Sequence, residues 1–199
     1  MKYLLTMTLA LSSLMVAQDE LPGWGVYLGA GQGGVTAEND TEGMTWGTEP
    51  ALPFIGVSKG VMLGVPLVVS VGLGKRAFSA EMDFYGYEMK MAETSDWIDV
   101  AAYMPYPLGP GFAQVGFLFG NPLNTGKGTM SFMGEEEELD GDDMELDYGA
   151  DYGLIFAYGY PVTEQININA GYYMGLANHG EDDNAVNFNG MFLFLGYNF

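Results

Sequence analysis

Residues 146–176 read LDYGADYGLIFAYGYPVTEQININAGYYMGL, and their alternation decides the fold. Leu146, Tyr148, Ala150, Tyr152, Leu154, Phe156, Tyr158 and Tyr160 fall on one face of an extended chain. Asp147, Gly149, Asp151, Gly153, Ile155, Ala157 and Gly159 fall on the other. After Pro161–Gln165 the pattern resumes, with Ile166, Ile168, Ala170, Tyr172, Met174 and Leu176 opposite Asn167, Asn169, Gly171, Tyr173 and Gly175. Period two is the strand period, since successive side chains point to opposite faces. Each run is about 11 to 15 residues, against about 5 to 6 for strands of water-soluble proteins. One face is apolar and aromatic, the other Gly and small polar residues. That suits a wall with lipid outside and a crowded, narrow lumen inside.

Working outward, eight such segments are expected: Trp24–Thr36, Phe54–Leu63, Leu67–Met82, Tyr87–Met104, Phe112–Phe132, Leu146–Tyr160, Ile166–Leu176 and Val186–Phe199. Short turns come at Gly64–Pro66, Pro105–Pro110 and Pro161–Gln165. Longer polar connections come at Ala37–Pro53, Met133–Glu145 and Ala177–Ala185, with a short one near Asp83–Gly86. The expected fold is all-β, an eight-stranded antiparallel transmembrane β-barrel with short periplasmic turns and both termini periplasmic.

Composition agrees. The chain has 13 Tyr, 12 Phe and 30 Gly among 199 residues and no cysteine, so disulfides and thiolate chemistry are excluded. Its 26 acidic and 6 basic residues give a net charge of −20, which argues against nucleic acid as a partner. Met1-Lys2-Tyr3, the apolar Leu4–Val16 and the polar Ala17-Gln18-Asp19-Glu20 read as a secretory signal peptide over residues 1–17. The apolar part is too short for a membrane-spanning helix, which needs roughly 20 residues. Residues 18–199 form the barrel domain.

The last strand carries a resemblance. Met191, Leu193, Leu195, Tyr197 and the terminal Phe199 form one row, which resembles the C-terminal signature by which bacterial outer-membrane barrels are recognised for assembly. The order WIDVAAYMPYPLGPGFAQVGFLFG (97–120), LDYGADYGLIFAYGYPVTEQININAGYYMGLAN (146–178) and MFLFLGYNF (191–199) resembles the small outer-membrane β-barrel family that includes PorT-like proteins. In that family a Tyr-Leu-Glu-Ile-Pro-like strand precedes a Gly-rich one; here Trp97-Ile98-Asp99-Val100-Ala101 keeps the acid but lacks the proline. The resemblance implies an envelope location, outer-membrane lipid as surroundings and the barrel-assembly machinery as a partner during biogenesis.

Four places hold candidate chemistry. Arg76 shares the inward face of Ser70, Gly72 and Gly74; an unpaired lumen charge is costly, so Asp99, Asp147 or Asp151 is its expected partner. Lys59 shares parity with the outward Ile55 and Val57, and a bulge would return it to the lumen. Glu136, Glu138, Asp140, Asp142 and Asp147 fall near EF-hand positions. The ends of that template are wrong, which leaves a solvated loop or weak Ca²⁺ or Mg²⁺ binding. His179, the single histidine, lies beside Glu181, Asp182 and Asp183. It reads as a surface-loop residue or, with Ser79 or Ser131 near it, as the base of a rim hydrolase.

An eight-stranded barrel holds side chains or one small ligand inside, so an open diffusion pore is not expected. The leading expectation is a non-enzymatic structural or surface-interaction protein, such as an accessory subunit of an envelope complex, with no cofactor. The alternative is a binder or conduit for small hydrophobic ligands, with Tyr173, Phe188, Phe192, Phe194 and Arg76 lining the lumen.

Overall fold

The computed structural model describes residues 23–37, 44–84, 86–140, 149–180 and 185–199. The strands are β1 (Trp24–Ala37), β2 (Met44–Met62), β3 (Pro66–Phe84), β4 (Tyr87–Leu108), β5 (Gly111–Pro122), β6 (Lys127–Phe132), β7 (Glu135–Asp140), β8 (Asp151–Pro161), β9 (Ile166–Gly175) and β10 (Val186–Asn198). Eight of them form a ring in the order β3-β2-β1-β10-β9-β8-β5-β4, closed by pairing of β4 with β3. All neighbours in the ring are antiparallel. Closure leaves no open edge in the ring itself. The start of β1 and the end of β10 lie side by side, Phe199 N–H donating to the Trp24 carbonyl at 2.8 Å.

Alternation places the side chains as the sequence requires. Tyr152, Phe156, Tyr158, Tyr160, Ile168, Tyr172, Met174, Leu193, Leu195 and Tyr197 stand exposed around the outside. Asp151, Ile155, Asn169, Tyr173 and Phe188 are buried inside. An exposed aliphatic and aromatic belt around a packed interior inverts the water-soluble pattern and matches a barrel with lipid as its solvent.

Several expectations are corrected. The segment Phe112–Phe132 is two strands, not one. Asn124 holds a turn between them, its Oδ1 accepting from the backbone N–H of Asp96 at 3.0 Å and of Gly126 at 3.3 Å. The chain then leaves β8 and lays β6 against Met89–Thr94 of β4. Second, the connection expected at Met133–Glu145 contains a strand, because Met133 (φ 53°) and Gly134 (φ 85°) form a two-residue turn and β7 pairs with β6. Two consecutive positive φ angles match the twist of a hairpin. Main-chain pairing is indifferent to side-chain charge, so Glu135–Glu138 form an acidic outer edge strand. The connection expected at Ala37–Pro53 likewise ends early, where β2 begins at Met44. Third, no bulge brings Lys59 inward. Register is unbroken from Ile55 to Met62 against β3, and Lys59 lies outside with Nζ 4.6 Å from the Trp24 ring centroid.

The result is a ring extended at one end by a sheet. Met44–Gly47 of β2, the ends of β3 and β4, and the β6–β7 hairpin continue past the last β5 pair, Trp97–Pro122.

Candidate functional site

The lumen is divided into layers. At the level where the projecting sheet begins, Arg76 on β3 meets Asp99 on β4 and Asp151 on β8. Its Nε donates to Asp151 Oδ2 at 3.0 Å, and its Nη2 donates to Asp99 Oδ1 at 2.9 Å. All three are buried, Asp151 completely. The guanidinium lies between two rings, its Cζ 5.1 Å from Trp97 and 5.2 Å from Tyr173. Gly120 makes room for the pair, since a Cβ there would meet Asp99 Oδ1 at 2.5 Å and Arg76 Nη2 at 2.9 Å. A fork donor between two carboxylates satisfies a buried charge that would otherwise be costly. Asp99 and Asp151 are thus the partners present; Asp147 lies outside the described residues.

His179 belongs to this layer, which corrects the surface-loop reading. Its side chain is 3 % exposed, and Nε2 lies 3.4 Å from Asp151 Oδ1. The ring packs at 4.7 Å from Phe188 and 6.2 Å from Trp97 between centroids. Polar residues dominate its sequence surroundings, and only the fold of the β9–β10 connection turns it inward. Its Asp partner suits a base, but neither serine named from the sequence faces it. Ser79 and Ser131 lie on the outward rows of β3 and β6, opposite Ala92 and Lys90. Among the described residues neither serine is brought to His179.

Beyond the charged layer lies an apolar chamber of about 120 Å³, lined among others by Tyr27, Phe54, Tyr103, Leu118, Phe192 and Phe194. Arg76 and Tyr173 stand at its roof. Phe188 does not line it; it packs with Phe78 and Trp97 on the far side of the charged layer. The floor is a second polar layer, where Gln114 Nε2 donates to Asn169 Oδ1 at 2.8 Å and Asn169 donates in turn to Asn167. Sequence reasoning named Arg76 and the aromatics but missed Trp97, Gln114, Asn169 and Tyr27. Their inward parity was legible, yet nothing local says that they meet.

The acidic segment does not form an EF-hand over its described part. Glu136 and Glu138 lie on the regular strand β7, opposite Ser131 and Thr129, whereas that motif needs a continuous loop. Asp142 and Asp147 lie outside the described residues, as does the Asp140 side chain. Phe199, Tyr197 and Leu195 stand exposed in one outward row at the end of β10.

No protein-family model matches the chain, and neither does any characterised protein sequence. Solved structures do match in shape. Neisserial surface protein A aligns with a TM-score of 0.54 at 12 % identity, over 91 % of this chain and 100 % of that one. Ail, the attachment invasion locus protein of Yersinia pestis, gives 0.41 at 13 % identity, over 89 % and 99 %. OprG, the outer membrane protein from Pseudomonas aeruginosa, gives 0.39 at 12 %, over 92 % and 98 %. The first likeness joins the closed ring and the lipid-type exterior in one conclusion. The chain has the fold of a small eight-stranded outer-membrane β-barrel.

Proposed function

We propose that this chain resides in a bacterial outer membrane as a closed, non-conducting, non-enzymatic barrel that acts through the sheet at its loop end. The observation that carries the reading is a pair of cross-strand rows on that sheet. Met44, Met82, Met89 and Phe132 are successive partners in one row. Trp46, Ala80, Met91 and Met130 are partners in the next. Methionine and aromatic side chains in adjacent rows form a deformable apolar face of the kind used to bind varied protein surfaces. The charged layer supports the same reading, because Arg76, its two carboxylates and Trp97 close the lumen at one level, and the two rows continue the same face of β3 and β4 beyond it, with Trp46 and Met91 packed on the core.

This reading orients the short turns and both termini toward the periplasm, with residues 1–17 as the export signal and the sheet toward the exterior. It keeps membrane lipid and the barrel-assembly machinery as partners, and an envelope protein as the occupant of the sheet. The narrower PorT-like resemblance remains part of it, resting on the quoted segments 97–120, 146–178 and 191–199. Weak Ca²⁺ or Mg²⁺ binding at Glu136, Glu138, Asp140, Asp142 and Asp147 also remains part of it. Slower proteolysis of the hairpin in divalent cations than in chelator, at equal ionic strength, is its expected sign.

Two measurements test the main reading. The purified protein reconstituted in planar bilayers gives no steady single-channel conductance, and external protease on intact cells cuts within residues 127–140. Stable conductance removes the closed barrel. Cleavage only after the periplasm is opened removes the surface orientation.

A further inference from the structure

On the outside of the ring, one side of the apolar belt differs from the other. Leu195, Leu28, Ile55, Leu73 and Ile98 are successive partners in one outward row across β10, β1, β2, β3 and β4. Tyr197, Val26, Val57 and Val71 are partners in the next. Together the two rows line an open groove of about 570 Å³. Their side chains are between 38 % and 58 % exposed, so the groove lies on the outer surface and not in the lumen. Behind it the inward positions of β2 and β3 are glycine, and a Cβ on Gly56 or on Gly72 would collide with the Tyr27 hydroxyl. The wall therefore rests directly on Tyr27, with no side chains to hold it further out. Across the barrel, the outward rows of β5 and β8 carry Phe117, Phe119, Tyr152 and Phe156 instead.

A cation stands at the foot of this groove. Lys59 is one row nearer the turn end, between Trp24 and Val69, about 7 Å along β2 from Val57 by the rise of a strand. Its Nζ lies over the Trp24 ring. Among the described residues no carboxylate comes within ion-pair distance of it. The outward lysines of β3 and β4 are treated differently, since Lys75 pairs with Asp96 and Lys90 with Glu81. A chain with 26 acidic residues thus leaves this one outward cation to an anion from elsewhere. Trp24 beside it marks the membrane–water boundary, where indole rings collect. Lys59 is therefore placed at headgroup depth and the groove at acyl-chain depth.

We propose that this groove is a binding site for one anionic phospholipid, with an acyl chain along β2 over Val57 and Ile55 and the phosphate beside Lys59. The aliphatic walls alone would accept any lipid tail; the unpaired ammonium makes the headgroup selective. A second copy of this chain is the other apolar occupant such a face could take. A two-fold pairing over the groove, however, would set two Lys59 side chains side by side with no carboxylate between them. The inference goes beyond the surface role and rests only on the membrane placement. In the orientation given above, the lipid belongs to the periplasmic leaflet.

The test is lipid binding by the whole folded protein in detergent, with folding checked by heat-modifiable mobility. Phosphatidylglycerol and phosphatidylethanolamine with the same acyl chains are titrated separately, and bound lipid is counted by native mass spectrometry. The net charge of −20 repels anionic lipid in general, so a preference for it is local. The first phosphatidylglycerol is expected to bind about fivefold tighter than the first phosphatidylethanolamine, the size of one cation's attraction to anionic lipid. Lys59→Gln removes that preference and Lys75→Gln leaves it. Ile55→Trp, which fills the groove, weakens binding of the first lipid several-fold, while Phe117→Trp on the opposite wall does not. Equal binding of the two lipids by the parent, or a preference that survives Lys59→Gln, overturns the headgroup site. Equal losses in Ile55→Trp and Phe117→Trp overturn the groove, as does displacement of the lipid by free glycerol phosphate at equal concentration. A lipid-free dimer gives the face to a second copy and overturns the lipid. Native protein recovered from the soluble fraction without detergent overturns the membrane placement instead.

Discussion

Arg76 and Asp151 are separated by 75 positions in the chain and meet inside the barrel at 3.0 Å, Nε to Oδ2. Asp99 takes the other side of the same guanidinium. Three strands are therefore tied at one level of the lumen, and the pairing holds only for the register the ring adopts. A shift of one residue in any of the three would send its member to the lipid face.

Arg76→Met leaves two buried carboxylates facing each other and is expected to destabilise the barrel by about 3–5 kcal/mol. Adding Asp99→Asn and Asp151→Asn should return part of that loss. Denaturant unfolding in detergent, followed by the mobility shift on unheated gels, measures both. Equal stability of Arg76→Met and the parent would mean that the cluster does not bind the strands together.

Gly120 reports on the same layer from the backbone side. Gly120→Ala pushes a methyl group against Asp99 and Arg76 and should cost about 1–3 kcal/mol. Gly149→Ala, where a Cβ meets nothing within 4 Å, should be near neutral. In the Arg76→Met background the Gly120→Ala cost should shrink, since residues sharing one contact are not additive. Strict additivity would separate Gly120 from the ion pair.

Lys59 tests the depth of the lipid belt. It lies beside Trp24 at the turn end, where a charge reaches the interface along its own stem. Lys59→Val should change stability by about 1 kcal/mol or less. Val57→Lys, further along the same outward row, should cost about 2–4 kcal/mol if it lies near the bilayer midplane. Equal penalties at the two sites would move the membrane boundary.

Phe199 and Asn198 separate an assembly signal from simple packing. Phe199 is 71 % exposed at the end of the outward row, so its side chain contributes little to the lumen. Phe199→Ser should reduce the amount of folded protein in outer membranes several-fold in cells, with little effect on refolding of purified chain in detergent. Asn198→Ser should do neither. Matched losses in cells and in detergent would make Phe199 a stability residue.

Among the described residues β7 is the last strand of the sheet, with no partner on its outer edge. Charge on an edge strand discourages pairing with another molecule. Glu136→Thr with Glu138→Thr should raise self-association, seen as larger species in sedimentation velocity at equal detergent. Unchanged sedimentation would leave those glutamates without a protective role.

Alternation along the chain is a local property, and by itself it determined the β class, the outward apolar rows, the inward glycines and the inward direction of Arg76. Those features follow from the two-residue period alone. What only the tertiary structure decided depends on register around a closed ring. Local sequence does not distinguish Asp99, Asp147 and Asp151 as partners, because each has the right parity. The strand β7 was hidden because main-chain pairing overrides a run of glutamates when a partner strand lies alongside. His179 reads as solvent-facing until the chain between β9 and β10 folds it onto Phe188 and Asp151. The interruption of the β2–β3 ladder around Pro50 and Pro53 reads as a loop, since whether a proline ends a strand or interrupts one ladder depends on which neighbour the strand keeps. Here β2 keeps β1 and leaves β3 between Gly47 and Ile55.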